Sequence, residues 1–205
     1  MKLKQFDAVI FDLGGVIINL DYNLTIRSFE ELGMKNFNEV YSQLAQSTLF
    51  DDYETGRISS QHFVNKLLDH VPPGTSPNRI VAAWNAMILD VPKDKPALLK
   101  TLHAQTPIFL LSNTNEIHMQ KVHRAWSNSS EEALQDHFSK VYLSFQMGMR
   151  KPDVEIFHKV CEEQDLVPER TLFIDDSPQH IEGAKLAGLQ TFLLKDSSEF
   201  YTLFS

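Results

Sequence analysis

The apolar positions of this chain fall into two kinds of pattern. Phe6-Asp7-Ala8-Val9-Ile10-Phe11 is a short β-rich apolar run, closed by Asp12-Leu13-Gly14-Gly15. A run of that length ended by turn residues predicts a buried strand and a tight turn. Val16 to Leu20 predicts a small extended flap after it. From about Asp21 to Leu89 the apolar residues recur at helical spacing instead, with no convincing strand. They are Leu24, Phe29 and Leu32, closed by Gly33; Val40, Leu44 and Phe50; Phe63, Leu67 and Leu68, closed by Pro72-Pro73; and Ile80, Ala83, Trp84, Met87 and Ile88. Gly56 reads as a turn, and Ser59-Ser60 stands where the helix containing Phe63 needs an N-cap. The spacing predicts a compact helical module.

The remainder alternates. Pro107 to Leu111, Val141 to Ser144, Thr171 to Ile174 and Thr191 to Leu194 are apolar runs of strand length. Helical patterns separate them over Asn115–Trp126, Val154–Gln164 and Gln179–Ala187. Strand-helix alternation with nearly continuous apolar strands predicts an α/β fold, a Rossmann-like parallel sheet covered on both faces. The helical module is then an insertion after the first strand. The core domain comprises residues 1–20 and 90–205, the inserted domain residues 21–89, and the two ends of the insertion must return close together at the sheet.

Composition narrows the partners. The 205 residues are 42% hydrophobic and 22% charged, as in ordinary soluble proteins, with a formal net charge of −8. That charge argues against nucleic acid and anionic membrane surfaces, which call for clustered Lys and Arg. It leaves small anionic substrates open, because a metal or a few local cations can hold a phosphate. The single cysteine, Cys161, cannot form an intramolecular disulfide. The N-terminal apolar run is too short for a secretory signal, and no segment approaches the ~20 apolar residues of a membrane span. The expectation is a cytoplasmic protein, monomeric or a weak dimer.

Parallel sheets bind ligands beyond the carboxyl ends of their strands. Asp12 follows the first predicted strand, Ser112-Asn113-Thr114 the second, Arg150-Lys151-Pro152 lies a few residues past the third, and Asp175-Asp176-Ser177 follows the fourth. Taken singly, each has a plain reading as a cap, a turn former or a solvated lysine. Together they place three carboxylates, a lysine and a hydroxyl on one rim. Such a set suits Mg²⁺, which takes few protein ligands and keeps waters. Mg²⁺ and Lys151 can neutralise a bound phosphate, Ser112 can hydrogen-bond it, and a carboxylate there can attack phosphorus.

These motifs resemble the haloacid dehalogenase superfamily. Phe11-Asp12-Leu13-Gly14-Gly15-Val16-Ile17, Leu110-Leu111-Ser112-Asn113, Gly148-Met149-Arg150-Lys151-Pro152-Asp153 and Phe173-Ile174-Asp175-Asp176-Ser177 occur in the family's order. The insertion resembles its small helical cap, and Asp52 to Ser59 resembles a recurrent cap segment. Within the superfamily the likeness is to bacterial α-D-glucose-1-phosphate phosphatases and the N-terminal domain of soluble epoxide hydrolases. The resemblance implies a Mg²⁺-dependent phosphatase of a small phosphorylated metabolite, such as a sugar phosphate. Asp12 would be the nucleophile and a metal ligand, and the Gly14 carbonyl, Asp175 and Asp176 would complete the protein's share of the metal site. Ser112 and Asn113 would bind phosphate, and Lys151 would hold both nucleophile and phosphoryl group. It also makes a cis Lys151–Pro152 peptide the expectation.

One position departs from the family pattern. Most of its phosphatases carry an acid-base Asp two residues after the nucleophile, where this chain has Gly14. General acid-base help is worth about 10²–10⁴-fold, so sugar-1-phosphates or aryl phosphates, with more acidic leaving groups, should outrun alkyl phosphates. Asp21 or a cap residue is a substitute donor. Gly14 also keeps open a catalytically weak binding or regulatory protein. A 2-haloacid dehalogenase is the other alternative, against which the Asp175-Asp176 pair argues, and a phosphomutase would normally need the missing Asp. Tyr22, Phe50, Tyr53 and Trp84 are candidates for lining the pocket.

Overall fold

Strand β1 (Ala8–Phe11) is buried along its whole length. The structure, a computed structural model, describes residues 5–35, 37, 39–40, 48–196 and 199–204. Leu44, placed by its spacing in a helical stripe, lies outside them. β1 is the centre of a five-stranded, all-parallel sheet with β2 (Ile108–Ser112), β3 (Lys140–Leu143), β4 (Thr171–Asp175) and β5 (Gln190–Leu193), in the order β3-β2-β1-β4-β5. Alternation of side chains across a strand divides its apolar residues between two cores. Val9 and Phe11 join Ile108, Leu110, Leu172 and Ile174 on one face. Ala8 and Ile10 join Phe109, Leu111 and Phe173 on the other. Burial on both faces is why these strands read as unbroken apolar runs.

A third apolar cluster belongs to the helices between β1 and β2. Those that contribute to it include α1 (Tyr22–Glu31), α2 (Leu49–Glu54), α3 (Ser60–Leu68) and α4 (Pro77–Trp84). Phe63 is its hub, stacked on Tyr53 at 4.2 Å and edge-on to Trp84 at 4.9 Å between ring centroids. Phe50, Tyr53 and Trp84 are thus spent on this core, whereas Tyr22 is exposed. Ser59 caps α3 by accepting a hydrogen bond from His62 N, and Asp21 caps α1 by accepting from Asn23 N.

The two segments entering and leaving this cluster run side by side. Asn19 N donates to Asp90 O at 3.0 Å, Leu89 N to Asn19 O at 3.1 Å and Asp21 N to Met87 O at 2.9 Å. Leu20 and Ile88 form an antiparallel bridge, and the Asn19 side chain donates to Asp90 Oδ1. The expected extended flap over Val16 to Leu20 is instead a turn that doubles back. Ile17 N and Ile18 N both donate to Leu13 O, and Gly15 makes the reversal at φ +71°.

The later helices cover the sheet: α5 (Lys95–His103), α6 (Glu116–Ser127), the short α7 (Ser144–Met147), α8 (Val154–Glu163), α9 (Pro178–Leu186) and α10 (Glu199–Leu203). Among the described residues no helix is long and apolar enough to cross a membrane.

Candidate active site

Sheet register brings the carboxylates together. Phe11 pairs with Ile174, so Asp12 and Asp175, each one residue further on, leave adjacent strands side by side. Connections from β1 and β4 run to opposite edges of the sheet, which makes their junction the switch point where open α/β sheets bind ligands. Lys151 reaches the same point from the loop before α8. Its Nζ donates to Asp12 Oδ1 at 2.6 Å, Asp175 Oδ2 at 2.7 Å and Leu111 O at 2.9 Å. All three protons are used, and the side chain is wholly buried. The Lys151–Pro152 peptide is cis, as expected.

Burial and charge set the ionisation of this group. Burial pushes the Asp12 carboxyl up to about 6, with Asp175 adding to the rise and Lys151 opposing it. Burial pulls the Lys151 ammonium down, but Asp12 and Asp175 together outweigh it and hold it above its usual range. For Asp175 burial is outweighed by Lys151 and His180, and its carboxyl falls below the ordinary value. Asp176 is raised, by burial first and then by Asp175.

Oxygens of Asp12, Asp175 and Asp176 lie within 4.8 Å of one another. These three carboxylates against the one Lys151 ammonium leave an excess of two negative charges, which a divalent cation would balance. Oxygen donors, a small cluster and an adjacent cleft fit Mg²⁺. Gly15 makes room for this arrangement. A Cβ there would lie 2.1 Å from Asp176 Oδ2, and the positive φ would strain any other residue.

Gly14 does not have a positive φ. What crowds it is Leu20, whose Cδ1 would stand 2.5 Å from an added Cβ. Gly14 lines two adjoining cavities. One, of about 240 Å³, is the cleft over Asp12, Asp176, Arg150 and His180. The other, of about 110 Å³, is a more apolar chamber lined by Leu13, Ile18, Met87, Ile88 and Val122. Both share Gly14, Leu20, Tyr22, Glu54, Ser112 and Asn113.

Ser112 ends β2 facing both cavities. The Asn113 side chain has a second task beside any phosphate contact of its backbone. It donates from Nδ2 to Lys151 O at 2.8 Å and accepts from Lys151 N at 2.9 Å, fixing the backbone that presents Lys151. Ser144 clasps Thr114 in the same reciprocal way, 2.9 and 3.0 Å. His180 was not foreseen. Its Nδ1 lies 3.0 Å from Asp175 Oδ2, while Ser177 N donates to Asp175 Oδ1. The only sequence signal for it is a His five residues after Asp175, one turn into α9. Asp21, a candidate donor, is engaged at the N-terminus of α1.

The helical insertion meets the core beside this site. Arg150 pairs with Asp51 and stands 3.1 Å from Glu54 Oε2, both on α2. Ser60 Oγ donates to Glu116 at 2.6 Å, and Ile117 N donates to the Tyr53 hydroxyl at 3.3 Å. Gly56 lies so close to the core that a Cβ would be 2.2 Å from Phe145 O.

Comparison with known proteins agrees with this geometry. The family model for haloacid dehalogenase-like hydrolases matches residues 6–188. A D-ribitol-5-phosphate phosphatase of Bacteroides thetaiotaomicron is 29% identical over 94% of this chain and 93% of its own length. A crystal structure of a haloacid dehalogenase family enzyme from the same organism, in complex with magnesium and inorganic phosphate, superposes with a TM-score of 0.88. It shares 35% identity over 98% of this chain and 100% of that one. A dehalogenase structure, 16% identical at a TM-score of 0.67 over 98% of this chain and 97% of that one, is a likeness of fold alone.

Proposed function

The chain belongs to the haloacid dehalogenase-like hydrolases, and from this premise we propose that it hydrolyses a sugar or polyol phosphate through a phospho-aspartate on Asp12. It is a Mg²⁺-dependent phosphatase of small phosphorylated metabolites. The observation that carries the reading is the Lys151 ammonium clamped between Asp12 and Asp175 at the carboxyl rim, with Asp176 beside them. The polyol substrate class rests on the D-ribitol-5-phosphate phosphatase, aligned with this chain over nearly its whole length.

In this reading residues 1–20 and 90–205 form the catalytic core and residues 21–89 the cap. Asp12 attacks phosphorus, the ester P–O bond breaks and the alcohol departs. Water then attacks phosphorus, the bond to Asp12 breaks and phosphate leaves. Lys151 keeps Asp12 oriented and offsets charge on the phosphoryl oxygens. Ser112 Oγ and the backbone N–H of Asn113 bind those oxygens. Mg²⁺, held by Asp12, Asp175, Asp176 and the Gly14 carbonyl, would supply charge neutralisation at the transferring group.

Screening polyol and sugar phosphates with and without Mg²⁺ tests the proposal. The expected outcome is phosphate release that EDTA abolishes and added Mg²⁺ restores. If no ester is hydrolysed, or if EDTA has no effect, the proposal fails.

A further inference from the structure

Gly14 has no side chain to donate a proton to the departing oxygen. A polyol phosphate makes the deficit serious, because a primary alkoxide is a poor leaving group. Asp21 does not fill the gap, since its Oδ1 accepts from both the backbone N and the side-chain Nδ2 of Asn23. His118 is stacked on Trp84, hydrogen-bonded to Asn85 Oδ1 and pushed down to about 3 by burial. His180 is held by Asp175.

We infer that Glu54, on the last turn of cap helix α2, donates the proton to the leaving oxygen and later takes one from the attacking water. This rests on the phosphatase reading above and adds to it the acid-base residue. Glu54 and Gly14 both line the two cavities. Glu54 thus lines, from the cap side, the same cavities that an acidic side chain at position 14 would have entered from the core side.

The surroundings favour a protonated carboxyl. Glu54 Oε2 is buried and makes no hydrogen bond. Arg150 is within ion-pair distance, but the contact is not aligned as a hydrogen bond, and Asp51 takes up part of its charge. Ionised, the buried Oε2 would have only the Arg150 guanidinium in place of the hydration it loses, whereas the acid form needs only an acceptor. The charged and titratable groups around it are Asp12, Arg150, Lys151, Asp176, His118 and His180. Burial outweighs the pull of Lys151 and pushes Glu54 up to about 7, where a general acid works best at neutral pH. An arriving phosphate dianion raises it further.

Atoms balance over the cycle. As the Asp12–phosphorus bond forms and the ester P–O bond breaks, the alkoxide takes the Glu54 proton and leaves as alcohol. The Glu54 carboxylate then removes a proton from water as its oxygen bonds to phosphorus. The Asp12–phosphorus bond breaks, phosphate departs and Glu54 is again an acid.

The test compares E54Q and D51N with the unmodified chain, in Mg²⁺, on an alkyl phosphate and on p-nitrophenyl phosphate across pH. In the unmodified chain, kcat/KM should fall above about pH 7 as Glu54 loses its proton. E54Q should lose about 10²–10³-fold on the alkyl ester, little on the aryl ester, and the alkaline fall with it. D51N, which loosens Arg150 but leaves the acid, should affect both esters alike. Equal losses on both esters in E54Q, or an alkaline fall that survives the substitution, would assign Glu54 to cap docking and overturn the inference. Absence of Mg²⁺-dependent hydrolysis of either ester by the unmodified chain would overturn the phosphatase reading, and the Glu54 role with it.

Discussion

Lys151 shows what a single residue contributes here. Its ammonium is the cation that offsets the burial of two carboxylates, and it does so with no exposed surface. Removing one partner of a buried ion pair costs about 3–5 kcal/mol. K151M should therefore lower the urea midpoint of the metal-free protein by a matching amount, and hydrolysis should vanish. The pH dependence should change as well. Without the ammonium, the main pull opposing burial is lost, so Asp12 rises further above its ordinary value and Asp175 rises from below its own. Groups shifted upward stabilise the fold at low pH, so K151M should regain stability as pH falls toward 4. An unchanged midpoint, or a pH dependence of stability identical to the parent's, would contradict this account. Lys151 and the three aspartates were legible because each follows a strand at the one rim where a parallel sheet binds ligands. Glu54 and His180 were not, because each reaches the site from a helix, and a helical carboxylate or imidazole looks like any solvated one until the fold shows what it faces.

Elements were legible where periodicity and burial agree. The predicted strands match to within about two residues because both faces of the sheet are covered, and α6, α8 and α9 end close to their predicted bounds. Helix α5 had no such signal. Its buried face includes Lys95, whose ammonium donates to Val16 O and sits 3.4 Å from the Phe200 ring centroid. A lysine at an inward position breaks the apolar stripe that a sequence reading follows. The flap failed for a related reason, since its β-branched residues fold back into a turn that Gly15 permits. Between elements, the contact at Gly56 sets how closely the helical module approaches the core. G56A would push a methyl group onto a backbone carbonyl at φ +69°. It should cost about 1–3 kcal/mol, read as a lowered thermal midpoint, and should raise KM by prising the module from Arg150. A midpoint and KM equal to the parent's would show that the module seats itself elsewhere.

At the scale of the whole molecule, the proposed reaction must exclude water while Asp12 is phosphorylated and admit it for the second step. Asn19-Leu20 and Asp90-Val91-Pro92 join the helical module to the sheet, so relative motion should concentrate there. Spin labels placed on α3 and α8 should report a shorter or longer separation when Mg²⁺ and a phosphate analogue are added. Constant separation with the cleft still open to solvent would rule out a moving cap. The way these segments are paired restricts the form of the motion. Two independent tethers would let a domain wander through translations and rotations alike, and each closure would have to recover that lost freedom. Segments laced together by backbone hydrogen bonds across Asn19, Asp21, Met87, Leu89 and Asp90 resist stretching and shear but still yield to torsion. A motion confined to torsion about this laced pair would carry Glu54 along one arc and return it to the same place beside Asp12 at every turnover.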